Sequence, residues 1–475
     1  MKTNKFYLQI LAIFCIFALI ISYDDRTQSN YDTIPIINLS GEFKIDFDNK
    51  IVIGNLIYNL KAKDDGKEII FDTNKLNIKK IYRINPINEA QEPIEYDVGE
   101  EDKYLGAPLN IYLNFTKDEE LQLKIEYETK PDGISTQFLT PEQTFGKKYP
   151  YFFTQSKMIL GRSLFPCQDT PSIKFTFDLN IIVPKDLRGM ISGKYTGVSD
   201  YKDDIVYSYK QDIPIPSYLL SLAAGNIKEK QINDMITLYT EPEYIDEVYK
   251  EIYEDIPKAI DIANNYAGKF IWDKFNILVL PRSFPYSGVE NPNLVFLSPC
   301  VINGDKSLID IIIQMIMHHW SGNLVTNENW RDFWINGGIA LFLRRKIMGL
   351  LRNDNELARM DGYMGMYYIQ FWIDYFGKEK ENLTKLRPIG LENPEDYYTN
   401  IPYEKGYNFI YYIEHLIGEE IMEKFFKVYF EDFKYQSIDF DKFKKYFIDF
   451  CLTKMHISED ILGQTKLGKM DGYPG

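Results

Sequence analysis

The chain has 475 residues, 45% of them apolar and 26% charged, which is an ordinary globular composition and enough length for two or three domains with full-sized cores. Its net charge is −15, from 69 acidic against 54 basic residues. That excludes a nucleic-acid binder, which needs a basic face, and favours solubility.

At the N-terminus Lys2 and Lys5 precede an apolar run from Ile10 to Ile21, closed by Asp24 and Asp25. The run is shorter than the roughly 20 apolar residues of a spanning helix, so residues 1–22 read as a secretory signal peptide, with an uncleaved type II anchor as the alternative. Either way the chain is expected to be secreted or to enter the lumen of the secretory pathway. The sequons at Asn38, Asn114 and Asn382 fit a glycoprotein on that route. Cys15 lies in the leader, and the remaining Cys167, Cys300 and Cys451 are odd in number and widely spaced, so they read as buried free thiols rather than a disulfide framework.

Residues 30–226 are predicted to form an N-terminal β domain. Lys44–Phe47, Ile51–Gly54, Leu121–Ile125 and Phe175–Leu179 mostly alternate apolar and polar side chains, as half-buried strands do. Near Ile245 the period changes: Ile245, Val248, Tyr249, Ile252, Tyr253 and Ile256 recur at helical steps, with an interruption expected at Pro257 before Ala259, Ile260 and Ala263 resume the face. Phe275–Leu280 and Leu294–Leu297 read as strands, Ile311–Met317 as a buried core helix, and helices dominate to the end.

The segment from Gln314 to Gly338 has the outline of a zinc-peptidase site. That pattern is H-E-x-x-H followed about 18 residues later by a Glu in W-x-N-E-G, with two imidazoles on one helix face, a distant Glu as third ligand, and the inner Glu as general base. Aligned on Trp320, Gly322–Asn327 and Trp334–Asn336, the first histidine position holds Gln314 and the base position holds Met315. The second histidine is kept as His318, and the third-ligand position holds Gly337. The adjacent His318 and His319 diverge by about 100° on a helix and cannot readily share one metal.

These residues resemble the M1 aminopeptidases, and further motifs narrow the resemblance to the leukotriene A4 hydrolase branch. Phe165–Pro171 is similar to that branch's P-C-Q-D-T-P segment, and Ile213–Leu219 to the strand closing the same domain. Ser287–Pro292 is similar to the G-G-M-E-N-P exopeptidase motif, and Pro402–Gly406 matches P-Y-E-K-G. The resemblance runs from about Asn38 to the C-terminus. It implies an α+β multidomain fold, with an all-β saddle-like domain followed by a thermolysin-like, mainly α catalytic-type domain over 227–466. Residues 467–475 would be a truncated linker, with the family's C-terminal helical domain absent and the groove therefore more open.

The resemblance also implies roles. Glu290 and Gly288 belong to the substrate-binding motif, Glu290 as the anchor of the substrate α-amino group. Tyr403 takes the place of the transition-state tyrosine, vestigial if no metal-bound water forms the intermediate. Gln155 and Lys157 stand where the branch has Gln-x-Gln at the amine end. A lysine there can reach Glu290 and imitate a bound peptide end, or it can snorkel out to solvent. With His318 as the only retained ligand, no metal and no cofactor are expected. The expectation is a pseudoenzyme that binds peptides or a partner protein, with no nucleic-acid partner and with membrane contact only through an uncleaved anchor. The alternative is an active zinc metallo-aminopeptidase, leukotriene A4 hydrolase-like, acting on peptide N-termini.

Overall fold

Strand alternation sets the first half of the molecule. In the computed structural model, which describes residues 26–454, the strand Ile36–Asp46 pairs antiparallel with Ile51–Lys61, and the latter buries every second residue. Around this hairpin an eight-stranded sheet is built. Ile36–Asp46 also pairs in parallel with Phe175–Pro184, and Ile51–Lys61 pairs antiparallel with Glu120–Thr129. A three-stranded sheet of Gly66–Thr73, Ala107–Phe115 and Tyr96–Val98 and a four-stranded sheet that includes Tyr151–Thr154 and Leu222–Gly225 complete the β-rich half. Of the four sequence-read strands, Ile51–Gly54, Leu121–Ile125 and Phe175–Leu179 fall wholly within these elements, while Lys44–Phe47 overruns its strand by one residue, Phe47 lying in the turn after Asp46. The expected signal peptide 1–22 and the expected linker 467–475 lie outside the described residues.

Two motifs meet here and act as a clamp. The Gln168 side chain donates to Ile34 O and accepts from Ile36 N, each at 2.8 Å, tying down the start of the first strand. Asp169 accepts from Ser217 Oγ at 2.7 Å and from the buried Arg162 guanidinium at 3.1 Å. A fully buried arginine is tolerated only when its donors are satisfied. Arg162 also donates to the carbonyls of Leu105, Arg26 and Asp169.

The second half is mainly helical: α1 (Ile245–Ile252), α2 (Asp255–Ala267), α3 (Ile309–His318), α4 (Trp334–Arg352), α5 (Asn355–Phe376), α6 (Asn400–Ile417), α7 (Glu419–Asp432) and α8 (Phe440–Asp449). A five-stranded sheet containing Ile277–Val279 and Val295–Leu297 lies beside them in sequence. The break between α1 and α2 falls at Tyr253–Glu254 rather than at Pro257, which sits in the first turn of α2. There its missing N–H has no intrahelical partner to lose. Cys167 and Cys451 are buried free thiols as expected, but Cys300 is exposed, because it lies in a short 3-10 turn at the surface. Of the three sequons, Asn38 and Asn382 donate their amides to Thr176 Oγ1 and Ile389 O, while Asn114 is exposed.

Helix α4 carries Gly337 and Gly338, and its packing gives the second glycine a reason. A Cβ on Gly338 would stand 2.6 Å from Gly406 Cα, so α4 and α6 cross backbone to backbone at the P-Y-E-K-G segment. Alanine is the better helix former by about 1 kcal/mol, yet Gly338→Ala is expected to lose about 1–3 kcal/mol through overpacking. Urea denaturation measures this; a neutral or stabilising result would mean that the two helices separate freely.

Candidate functional site

The site is assembled from α3, the N-terminal turns of α4 and α6, the exopeptidase-like strand and the Gln155–Lys157 turn. Among these, α3 is long and apolar enough to be buried nearly all round, which fixes where its polar positions point. His318 is 1% exposed. Its Nδ1 lies 2.8 Å from Asn336 Oδ1 and 3.0 Å from Ser321 O, two acceptors that hold the Nδ1–H tautomer. The lone pair of Nε2 is thereby turned inward, where it is buried with no hydrogen-bond partner. Burial lowers the imidazole pKa, the nearby Glu290 charge opposing it.

His319 faces elsewhere. It packs against Phe270 and Phe275, donates Nδ1–H to Met315 O at 2.8 Å, and burial takes its pKa to about 4. The two histidines therefore serve different surroundings, as their adjacency on a helix requires.

Lys157 enters the pocket. Its ammonium stands 2.8 Å from Glu290 Oε1, with the two side chains 4% and 0% exposed. It also lies over the rings of Tyr398 and Phe333, 4.9 and 5.5 Å from their centroids. The solvent-directed alternative for this lysine is thus not the one adopted. The turn that delivers it is tight: the Lys157 N–H donates to Gln155 Oε1, and the next residue, Met158, has φ 61. A left-handed methionine is strained and is kept only where the surroundings demand it. Gln155 in turn donates to Tyr286 OH at 3.0 Å rather than into the pocket.

The electrostatics follow from burial and pairing. Burial pushes the Glu290 carboxyl up, but the Lys157 ammonium, helped by His318, overcomes it and holds the group down to about 2. Burial likewise lowers Lys157, and Glu290 with Tyr398 and Tyr286 together outweigh it, leaving the ammonium above its ordinary value. Both groups are charged at neutral pH. Glu290 Oε2 has no hydrogen-bond partner, so the ammonium satisfies only half of the carboxylate.

The remaining positions are filled by apolar contact. Met315 is buried against Gly288, where a Cβ would come within 3.0 Å of its sulfur. The Tyr403 ring occupies the space at Gly337: a Cβ there would lie 2.8 Å from Tyr403 Cε1. Burial raises the Tyr403 phenol well above its ordinary pKa, so it is a proton donor and not an anion. Gln314 is half-buried, its Oε1 3.4 Å from Arg344 Nη1. Lys157 and Met315 are 3% and 6% exposed, and Tyr403 is half-buried.

Some participants were given no role by the sequence, although Glu404 and Asn336 stand inside its motifs. The Glu404 of P-Y-E-K-G makes a bidentate pair with Arg345, both bonds 3.0 Å, which locks α6 to α4 beside Tyr403. Asn336 orients His318, and Lys174 donates to Asn323 O and Leu324 O in the loop after α3, burial lowering its pKa to about 7.

Comparison with known proteins agrees with this fold. The Peptidase M1 N-terminal domain pattern matches residues 28–219 and the Peptidase family M1 domain pattern matches residues 253–459. Leucine aminopeptidase 2 of Yarrowia lipolytica is 34% identical over 444 residues, covering 92% of this chain and 67% of its own length. The Aspergillus niger protein of the same name is 34% identical over 442 residues, covering 92% and 70%. Among solved structures, native leukotriene A4 hydrolase from Saccharomyces cerevisiae superposes with a TM-score of 0.87 at 30% identity, over 96% of this chain and 70% of that one. The M1 zinc metallopeptidase of Deinococcus radiodurans shares the fold, with a TM-score of 0.71 at 13% identity over 93% and 96%.

These similarities correct one expectation. The sequence reading of no cofactor does not stand, since the matched family and its relatives are zinc metallopeptidases, and zinc is the cofactor they imply. The donors at this locus do not fit that metal in the family's manner. His318 Nε2 is open, but Gln314 offers an amide beside an arginine, Gly337 offers nothing, and among the described residues no three His, Cys, Asp or Glu side chains gather to hold an ion.

Proposed function

This chain belongs to peptidase family M1, in its leukotriene A4 hydrolase and aminopeptidase branch, and we propose that it is a catalytically silent member whose amino-terminus pocket is occupied by its own Lys157. The observation that carries this is the buried 2.8 Å pair between Lys157 and Glu290. An incoming peptide α-ammonium needs the carboxylate that the lysine already holds. The position of the general base supports the same reading, because the Met315 thioether cannot take a proton from water, and general-base catalysis is typically worth 10²–10⁴-fold. What is left to such a protein is binding, to peptides or to a partner protein. On the strength of its leader we place it in the secretory pathway, secreted or luminal, with membrane anchoring as the variant.

A second reading, an active zinc aminopeptidase or leukotriene A4 hydrolase-like enzyme, is favoured by the names of its relatives and their 34% identity over most of the chain. It requires Lys157 to withdraw from Glu290 before substrate binds. The two readings separate in one assay. Purified protein supplied with equimolar zinc is expected to release no amino acid from leucyl- or alanyl-anilides above the blank. Chelator-sensitive release from a preparation cleared of other peptidases overturns the silent reading and establishes the second.

A further inference from the structure

The three sequons differ in what the fold does with the asparagine amide. Asn114 stands on the strand Ala107–Phe115, one residue before its end. Side chains alternate along a strand. Phe115 is buried, while its neighbours Asn114 and Thr116, the two residues that define the sequon, are both exposed. The Asn114 amide makes no hydrogen bond among the described residues. The chain turns directly after it: the Glu119 N–H donates to Thr116 O at 3.1 Å, the Glu119 carboxylate accepts from Thr116 N at 2.9 Å, and Asp118 has φ 66. A bulky group on Asn114 therefore projects into solvent from the end of a strand.

The other two amides are committed. Asn382 Nδ2 donates to Ile389 O at 2.7 Å while its Oδ1 accepts from Ile389 N at 3.3 Å, a two-point clamp that closes the segment 382–389. Both bonds leave the same edge of the planar amide, so the hydrogen in use is the one beside Oδ1. A secondary amide holds its substituent trans to Cβ, which is that same position, so a sugar on Nδ2 displaces the clamp. Thr384 of this sequon is buried, its hydroxyl donating to Glu381 O at 2.8 Å. Asn38 lies in an inner strand of the eight-stranded sheet, within a ladder of side chains. It donates to Thr176 Oγ1 at 2.9 Å and accepts from Asn59 Nδ2 at 3.0 Å, and Asn59 accepts from Gln122 Nε2 at 2.8 Å. A sugar on Asn38 has to enter between the side chains of the two flanking strands.

We propose that Asn114 carries an N-linked glycan and that Asn38 and Asn382 stay unmodified in the folded protein. The proposal rests on the placement of the chain in the secretory pathway, where the donor, an oligosaccharide on a lipid diphosphate, is found. Its anomeric carbon exchanges the bond to a phosphate oxygen for one to Asn114 Nδ2. The lipid diphosphate leaves, and one of the two amide protons is lost to base. Transfer is made to the entering chain, so the fold sorts the products. Molecules modified at Asn38 or Asn382 lose the bonds described above and are expected to be retained rather than exported.

Expression of the full chain in a eukaryotic secretory host tests this, once with its own N-terminus and once with residues 1–22 replaced by an established cleavable signal peptide. Exported protein, shown to be folded by circular dichroism, is deglycosylated in heavy-oxygen water with an amidase that converts the glycosylated asparagine to labelled aspartate, and its peptides are mapped by mass spectrometry. The label is expected at position 114 in most molecules and at neither 38 nor 382. Asn114→Gln is expected to run on a gel with the enzymatically deglycosylated parent and to show no further shift on digestion. Protein delivered by the replacement signal that lacks a glycan at Asn114 overturns the proposal. So does folded, exported protein glycosylated at Asn38 or Asn382. A glycan at Asn114 with the replacement signal and none with the native N-terminus upholds the site and overturns the secretory placement instead.

Discussion

Lys157→Ala is expected to lose on the order of 3–5 kcal/mol of stability at pH 7, the usual cost of leaving one member of a buried ion pair uncompensated. Both partners are almost wholly inaccessible, so solvent screening does not reduce the effect. The pH dependence identifies the cause. In the parent, Glu290 sits at about 2, below its unfolded value near 4.5, so its contribution is full above pH 4.5 and is lost as pH falls toward 2. Without the ammonium, burial alone raises the Glu290 pKa, and the variant folds best with that carboxyl protonated. The deficit measured by urea denaturation should therefore shrink between pH 7 and pH 4. A second readout separates occupation of a subsite from mere packing. Leucinamide at millimolar concentration should raise the melting temperature of Lys157→Ala and leave the parent unchanged, because only the variant has a vacant carboxylate for an α-ammonium. Equal shifts in both proteins, or a pH-independent deficit, would sink the self-occupation account.

Much of the fold was legible because it depends on local periodicity. The alternation in Ile51–Lys61 and the three-and-four steps in α1 are one-dimensional records of which face meets the core. The candidate site was legible for a different reason: motif spacing fixes which residue occupies which position of a known arrangement. Hence Gln314, Met315, His318 and Gly337 could be placed before any contact was known. Illegible were features set by two distant segments meeting. The Gly338–Gly406 crossing, the Arg345–Glu404 fork and the Asn336 contact that orients His318 each join segments 18 to 68 residues apart and leave no periodic trace. Lys157 was an intermediate case. Its stem could reach either Glu290 or solvent, and the choice was made by the strained turn at Met158 and the rings of Tyr398 and Phe333.

The four changes Gln314→His, Met315→Glu, Gly337→Glu and Lys157→Gln together are expected to produce chelator-sensitive aminopeptidase turnover where the parent has none. The first three restore the donors and base of the family pattern, and mass spectrometry should find about one zinc retained per chain. Each alone should be harmful. Met315→Glu places a carboxylate in the apolar contact with Gly288, and Gly337→Glu drives a Cβ to 2.8 Å from Tyr403 Cε1, overpacking that costs about 1–3 kcal/mol unless the ring turns aside. Together they need not be, since a carboxylate that binds metal is no longer an unpaired buried charge. The fourth change decides the argument about Lys157. The three-fold variant keeps the ammonium on Glu290, so it should hold zinc yet turn over leucyl-anilide at least about 10²-fold more slowly than the four-fold variant. If both run at the same rate, the lysine does not obstruct the amine end and the occupied-pocket reading fails. If the four-fold variant is folded and holds zinc but remains silent, the amine end is not what limits the reconstructed site.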